Sequence, residues 1–178
     1  MRSCVIMGVL LVVSVAVSAC SPTVFAPEIL EGVDPHFDFT RWRLVPNQAM
    51  GKKVQLGGRI IQSQAKGDSV TIVAAQLPIV HHPAYGPNDA GKNGGEFAIV
   101  YQGKVEPSFL QRGNRIMVVG LTQASNVVAV DDIQKSLPTI QANCIHLWKT
   151  GGREIADFPN YGAGYETLEE ETLCSGGA

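Results

Sequence analysis

Residues 51–61 read Gly51-Lys52-Lys53-Val54-Gln55-Leu56-Gly57-Gly58-Arg59-Ile60-Ile61. Val54 and Leu56 alternate with Gln55, the period of a half-buried strand. Two adjacent glycines then interrupt the run. Glycine pairs inside a strand mark a bulge or a tight bend at a barrel corner. A strand bent at its middle can serve two sheets, so this stretch points to a small closed β structure.

The sequence downstream supplies the other strands. Lys66-Gly67-Asp68 is a hairpin turn, and Ser69–Leu77 is the returning strand. Glu96–Tyr101, Arg115–Thr122 and the strictly alternating Thr139–Trp148 make a third, fourth and fifth. Pro78–Gly95 is a long loop, and Glu106–Leu110 reads as a short helix with Pro near its start. Five strands, with the only internal helix between the third and fourth, predict a mainly β fold, a five-stranded OB-like Greek-key barrel over residues 47–149. A plain β-sandwich is the rival architecture.

The flanks differ from this block. Residues 1–19 carry Arg2, an uncharged apolar run and a small-residue exit, which is the grammar of a secretory signal peptide. The apolar run is shorter than a bilayer span. Val17-Ser18-Ala19-Cys20 resembles the bacterial lipobox, in which the cysteine is acylated and becomes the new N-terminus. A multiply acylated Cys20 would be a lasting membrane anchor. Position 21 is Ser, not the Asp that resembles an inner-membrane retention signal, so the outer membrane is the expected destination. Residues 20–46 contain several Pro and no clean period, and read as a lipidated N-terminus and extended tether with a turn or helix near Phe39–Leu44. Residues 150–178, with Glu166 and Glu169-Glu170-Glu171, read as a loose acidic tail.

Composition excludes several functions. Hydrophobic residues are 45% and charged residues 17% of 178, a globular composition. Removing the signal takes away Arg2 and no acid, leaving 13 basic and 16 acidic residues and a net charge of -3. Nucleic-acid binding needs a clustered positive field, so no nucleic-acid partner is expected. Cys4 leaves with the signal and Cys20 is the acylation site, so Cys144 and Cys174 are the candidate disulfide in an oxidising compartment. Cys144 sits in a strand-like run and Cys174 in the tail, which leaves that pairing open.

A family resemblance emerges from Phe25-Ala26-Pro27-Glu28, the Gly51–Ile61 block, Leu77-Pro78, Arg112–Gly120 and the closing Ile145-His146-Leu147-Trp148, in that order. Across about residues 20–149 the chain resembles the Slp family, starvation-inducible outer-membrane lipoproteins of Gram-negative bacteria. The resemblance implies an anchored lipoprotein facing the periplasm, linked to starvation, stationary phase or acid stress, with no established enzymatic activity. The chain departs from the pattern at Gly95-Glu96-Phe97, at Lys104-Val105-Glu106-Pro107 and in the loop after Pro78, which lacks the usual Leu-Asp.

No motif points to a catalytic residue, a metal site or a cofactor. There is no G-x-S-x-G elbow, no CxxC or HxxxH spacing, and Gly91-Lys92-Asn93-Gly94-Gly95 lacks the phosphate-loop pattern. His81-His82 reads as a solvated loop pair and Asp131-Asp132 as a solvated turn. Cys144, His146 and Trp148 share one strand face by alternation. Arg59, Tyr101 and Trp148 are the candidate binding face of the barrel, for a glycan, a peptide or another envelope protein. Two functions are therefore carried forward: a non-enzymatic structural or stress-protective envelope lipoprotein, and a periplasmic binding module.

Overall fold

A computed structural model describes residues 23–89, 91, 93–158 and 167–176. The signal peptide and Cys20 lie outside the described residues. The fold is mainly β. Its long strands are β1 (Lys53–Lys66), β2 (Ser69–Leu77), β5 (Glu96–Gln102), β6 (Arg115–Val130) and β7 (Ile133–Trp148). Short pieces complete the set: β3 (Ile79–Val80) pairs with β4 (Gly86–Pro87), and β8 (Glu170–Cys174) lies at the sheet edge.

The sheet runs β5-β2-β1-β6-β7-β8, and β5 also pairs with β7 in parallel, from Ala98↔Thr139 to Tyr101↔Ala142. Five strands therefore close into a ring. Its interior is filled by one face of each strand: Leu56 and Ile60, Ile72, Phe97 and Ile99, Ile116 and Val118, Ile145 and Leu147 all belong to one buried cluster.

Closure depends on irregularities that the sequence marks only partly. The bulge in β1 falls at Ile61, where the register jumps from Ile60↔Ala74 to Gln62↔Val73. The glycine pair does a different job. A Cβ on Gly58 would lie 2.9 Å from the carbonyl oxygen of Ala75, so the residue is glycine because β1 and β2 approach closely there. In β7 the expected strict alternation breaks. Val119 pairs with Cys144 but Gly120 pairs with Ala142, so Asn143 is bulged out. Ile140 and Ala142 point inward before it, and Ile145 and Leu147 after it.

The expected helix at Glu106–Leu110 is instead a pair of turns, with Phe109 N–H donating to Glu106 and Leu110 N–H to Pro107. Five residues with a proline among them do not propagate a helix without a packed apolar stripe. Phe109 and Leu110 still plug this side of the barrel.

The expected 20–46 tether is also corrected. From Phe25 onward the chain packs on the barrel. Phe25 is buried with Met117, Val119, Cys144 and Trp148 on the outer face of β6 and β7. After α1 (Pro27–Leu30), Asp34 N–H donates to Lys53 O. α2 (Phe39–Leu44), capped by the Asp38 side chain accepting from Arg41 N–H, inserts Phe39 and Trp42 into the barrel core. Scattered aromatics with no clean period are buried one at a time against different surfaces, which periodicity does not detect.

The tail expectation for residues 150–178 is corrected in the same way over the described residues 150–158 and 167–176. Thr150 and Phe158 are buried, and β8 pairs with β7 from Cys144↔Cys174 to Trp148↔Glu170. Cys144 and Cys174 are joined, S–S 2.06 Å. The domain thus reaches beyond 47–149 on both sides.

Candidate functional site

The barrel is solid, so any site must lie outside it. A cavity of about 800 Å³ sits on the outer face of β7. Its floor is His146 and Trp148, whose rings meet at 4.1 Å. One wall is the loop His81–Tyr85, where the His81 and Tyr85 rings lie 5.1 Å apart. A second is the Ile155–Phe158 segment, and a third is Glu170 and Thr172 of β8. Thr23 and Val24, from the start of the described chain, close the rim.

β7 builds this floor because both of its faces are occupied. Ile145 and Leu147 fill the barrel, so His146 and Trp148 must face outward. His146 is nonetheless only 4% exposed, covered by Phe25, whose ring lies 6.4 Å away edge-on, and by β8. Nδ1 lies 2.6 Å from Thr172 Oγ1, its partner across the β7–β8 ladder. Nε2 is 3.4 Å from Glu170 Oε2 but too poorly aligned for a hydrogen bond. Burial holds the imidazole below its ordinary pKa of 6.5, and the Glu170 carboxylate opposes that only in part.

A buried arginine fixes the walls. The Arg115 side chain is 0% exposed and donates from Nη2 to Asp89 (2.8 Å) and Glu154 (2.9 Å), and from Nη1 to Gly113 O (3.0 Å). Asp89 also takes Arg59 Nη1 at 2.9 Å, and its own N–H donates to Glu154. One guanidinium therefore ties the loop that carries Tyr85 to the segment that carries Ile155. Nothing in the sequence marked Arg115, which reads as the polar start of a strand. A charge at a strand start with no nearby partner in sequence gives no signal of burial.

The face expected from Arg59, Tyr101 and Trp148 is not assembled. Arg59 pairs with Arg115, and Arg115 with Trp148, so those three form one row across the barrel exterior. Trp148 is almost wholly covered, and Tyr101 points the other way into the barrel core. Asp131 and Asp132 form the turn between β6 and β7, both with positive φ (46° and 64°). His82 is exposed in its loop, while His81 stands at the cavity rim. Among the described residues no group of three or more His, Cys, Asp or Glu side chains is placed to hold a metal ion.

No curated protein and no solved structure matches the chain. The family model described as outer membrane lipoprotein Slp matches residues 17–169, which span the lipobox, the barrel and the cavity walls up to the start of β8. With most of its length covered by that match, the chain belongs to the Slp family of outer membrane lipoproteins.

Proposed function

We propose that this outer membrane lipoprotein is anchored through acylated Cys20, faces the periplasm, and acts without catalysis in envelope structure or in protection during starvation or acid stress. The observation that carries the reading is the join between anchor and fold. The lipobox cysteine is followed five residues later by Phe25, which is already buried on the barrel. The acylated end is thus continuous with a rigid domain rather than with a long linker. Strand order β5-β2-β1-β6-β7, closed by the parallel β5–β7 pair, supports reading that domain as an OB-like Greek-key barrel. The test is intact mass and membrane fractionation of wild type beside Cys20→Ala. Wild type is expected in the outer membrane, cut before Cys20 and heavier by its acyl groups, and Cys20→Ala in the soluble periplasm. A soluble, unacylated wild-type chain defeats the proposal.

The cavity on β7 favours a second reading, a binding module. It combines aromatic walls with a carboxylate and three threonine hydroxyls, the mixture that takes a glycan or a short peptide. Quenching of Trp148 fluorescence by cell-wall glycan fragments or envelope peptides, abolished in Tyr85→Ala, would support it. No response across those two ligand classes would remove it.

A further inference from the structure

We propose that the end of the barrel closed by α2 is a second membrane contact, seated on an anionic bilayer surface beside the anchor; this rests on the reading of Cys20 as the acylated residue. Large apolar side chains are exposed at only two places among the described residues. One is the α2 end, with Leu44 (71% exposed), Val45, Met50 (58%) and Leu121. The other is the β6–β7 hairpin tip, with Val127 and Ile133. The chain brings the first group together: Val45 leads from α2 into the 3-10 turn Pro46–Gln48, and Gly51 N–H then donates to Thr122 O beside Leu121.

Charge separates the two patches. At the α2 end Arg41 and Arg43 are exposed and make no ion pair among the described residues. The nearby acids are engaged, Asp38 as the cap of α2 and Asp34 with Lys52 at 3.2 Å. The hairpin tip instead carries Asp132 beside Asp131, which Arg112 pairs at 3.4 Å. The β7 cavity carries the Glu170 carboxylate. Exposed apolar side chains beside free guanidinium groups bind at the headgroup boundary of anionic lipid, whereas carboxylates are repelled there.

Reach allows it. Five residues from Cys20 to Phe25 span at most about 18 Å. Phe25 packs on Met117, and Leu121 lies four residues further along β6, about 13 Å of strand. A bilayer holding the acyl chains is therefore within reach of the α2 end. Once anchored, the patch meets lipid at high effective concentration, so a weak contact suffices.

The experiment uses the acylated chain in vesicles of phosphatidylethanolamine and phosphatidylglycerol. With Cys20 acylated and Cys144 bonded to Cys174, an introduced cysteine is the one free thiol. Leu44→Cys and Ile133→Cys, both at exposed positions, are labelled with a fluorophore and quenched by nitroxide-bearing lipid. The expected result is quenching several-fold stronger at 44 than at 133, shrinking when phosphatidylcholine replaces phosphatidylglycerol. Equal quenching at both positions in a sample whose mass confirms acylation overturns the proposal and leaves the anchor intact. A contrast indifferent to phosphatidylglycerol overturns the role given to Arg41 and Arg43. A sample whose mass shows no acylation brings down the anchor reading and this proposal together.

Discussion

Two buried polar side chains set the chemistry of the cavity, and each makes a measurable demand. His146 is kept neutral by its surroundings. Its folded pKa is lowered from 6.5, so the folded state binds fewer protons than the unfolded chain at mildly acidic pH. Its contribution is therefore fully present above about pH 6.5 and is lost as pH falls toward the lowered value. Urea midpoints measured from pH 7.5 down to 5 should decline in wild type, and His146→Gln should flatten that decline. A decline unchanged in His146→Gln would assign the effect to other groups. Arg115 makes the opposite demand, since its charge is already compensated. Arg115→Ala leaves Asp89 and Glu154 facing each other across an emptied site. Breaking a buried pair costs roughly 3–5 kcal/mol, and both carboxylates are partly solvated (29% and 27% exposed), which favours the lower end. Urea unfolding should show a loss near 3 kcal/mol, and a loss below 1 kcal/mol would deny Arg115 its structural role.

At the scale of elements, β8 and the glycine pair of β1 are held by single features. β8 is five residues long at the sheet edge, and only Leu173 packs toward the barrel core. The bond between Cys144 and Cys174 closes a separation of 30 residues, worth about 3–4 kcal/mol by chain entropy. Cys174→Ser should lower stability by about that amount and raise amide exchange first at residues 170–174, since these amides pair only with β7. Uniform exchange across the whole barrel would instead mean that β8 is integral to the ring. In β1, Gly58→Ala places a methyl against the Ala75 carbonyl and the Ala74 side chain, 3.1 Å away. Overpacking of this kind costs about 1–3 kcal/mol, read as a lowered Tm. The five barrel strands were legible, because period-two alternation and hairpin turns are local signals, but the arms of β6 beyond Thr122 and of β7 before Thr139 were not, nor was β8. The Asn143 bulge was not, since its residue type is ordinary and only the pairing of Gly120 with Ala142 places it. The cavity was half legible. His146 and Trp148 were placed correctly on one face, but Tyr85, Glu170 and Ile155 reach it through long-range packing that no spacing encodes.

For the whole molecule, the segments outside the barrel are what the sequence hid and what gives the domain its layered build. The N-terminal segment covers the β6–β7 exterior through Phe25, and α2 plugs one end of the barrel. The β6–β7 hairpin folds over the opposite face, where Val130 and Leu137 cover Val73 and Ala98. These segments have little core of their own, so they cannot hold structure apart from the barrel, and the barrel exterior would expose Met117, Val119 and Trp148 without them. Wrap and barrel should therefore unfold in one cooperative step. The two tryptophans report on the two layers separately, Trp42 from the barrel end and Trp148 from the outer wall. Urea unfolding of Trp148→Phe, which reads Trp42, and of Trp42→Phe, which reads Trp148, should each fit a single transition with the same slope against denaturant. Adding Phe25→Ala removes a buried aromatic at a cost of about 3–5 kcal/mol. It should lower the midpoint seen by both reporters equally. A shift confined to the Trp148 reporter would mean that the N-terminal segment around Phe25 detaches while the barrel stands, so that wrap and barrel are separate cooperative units.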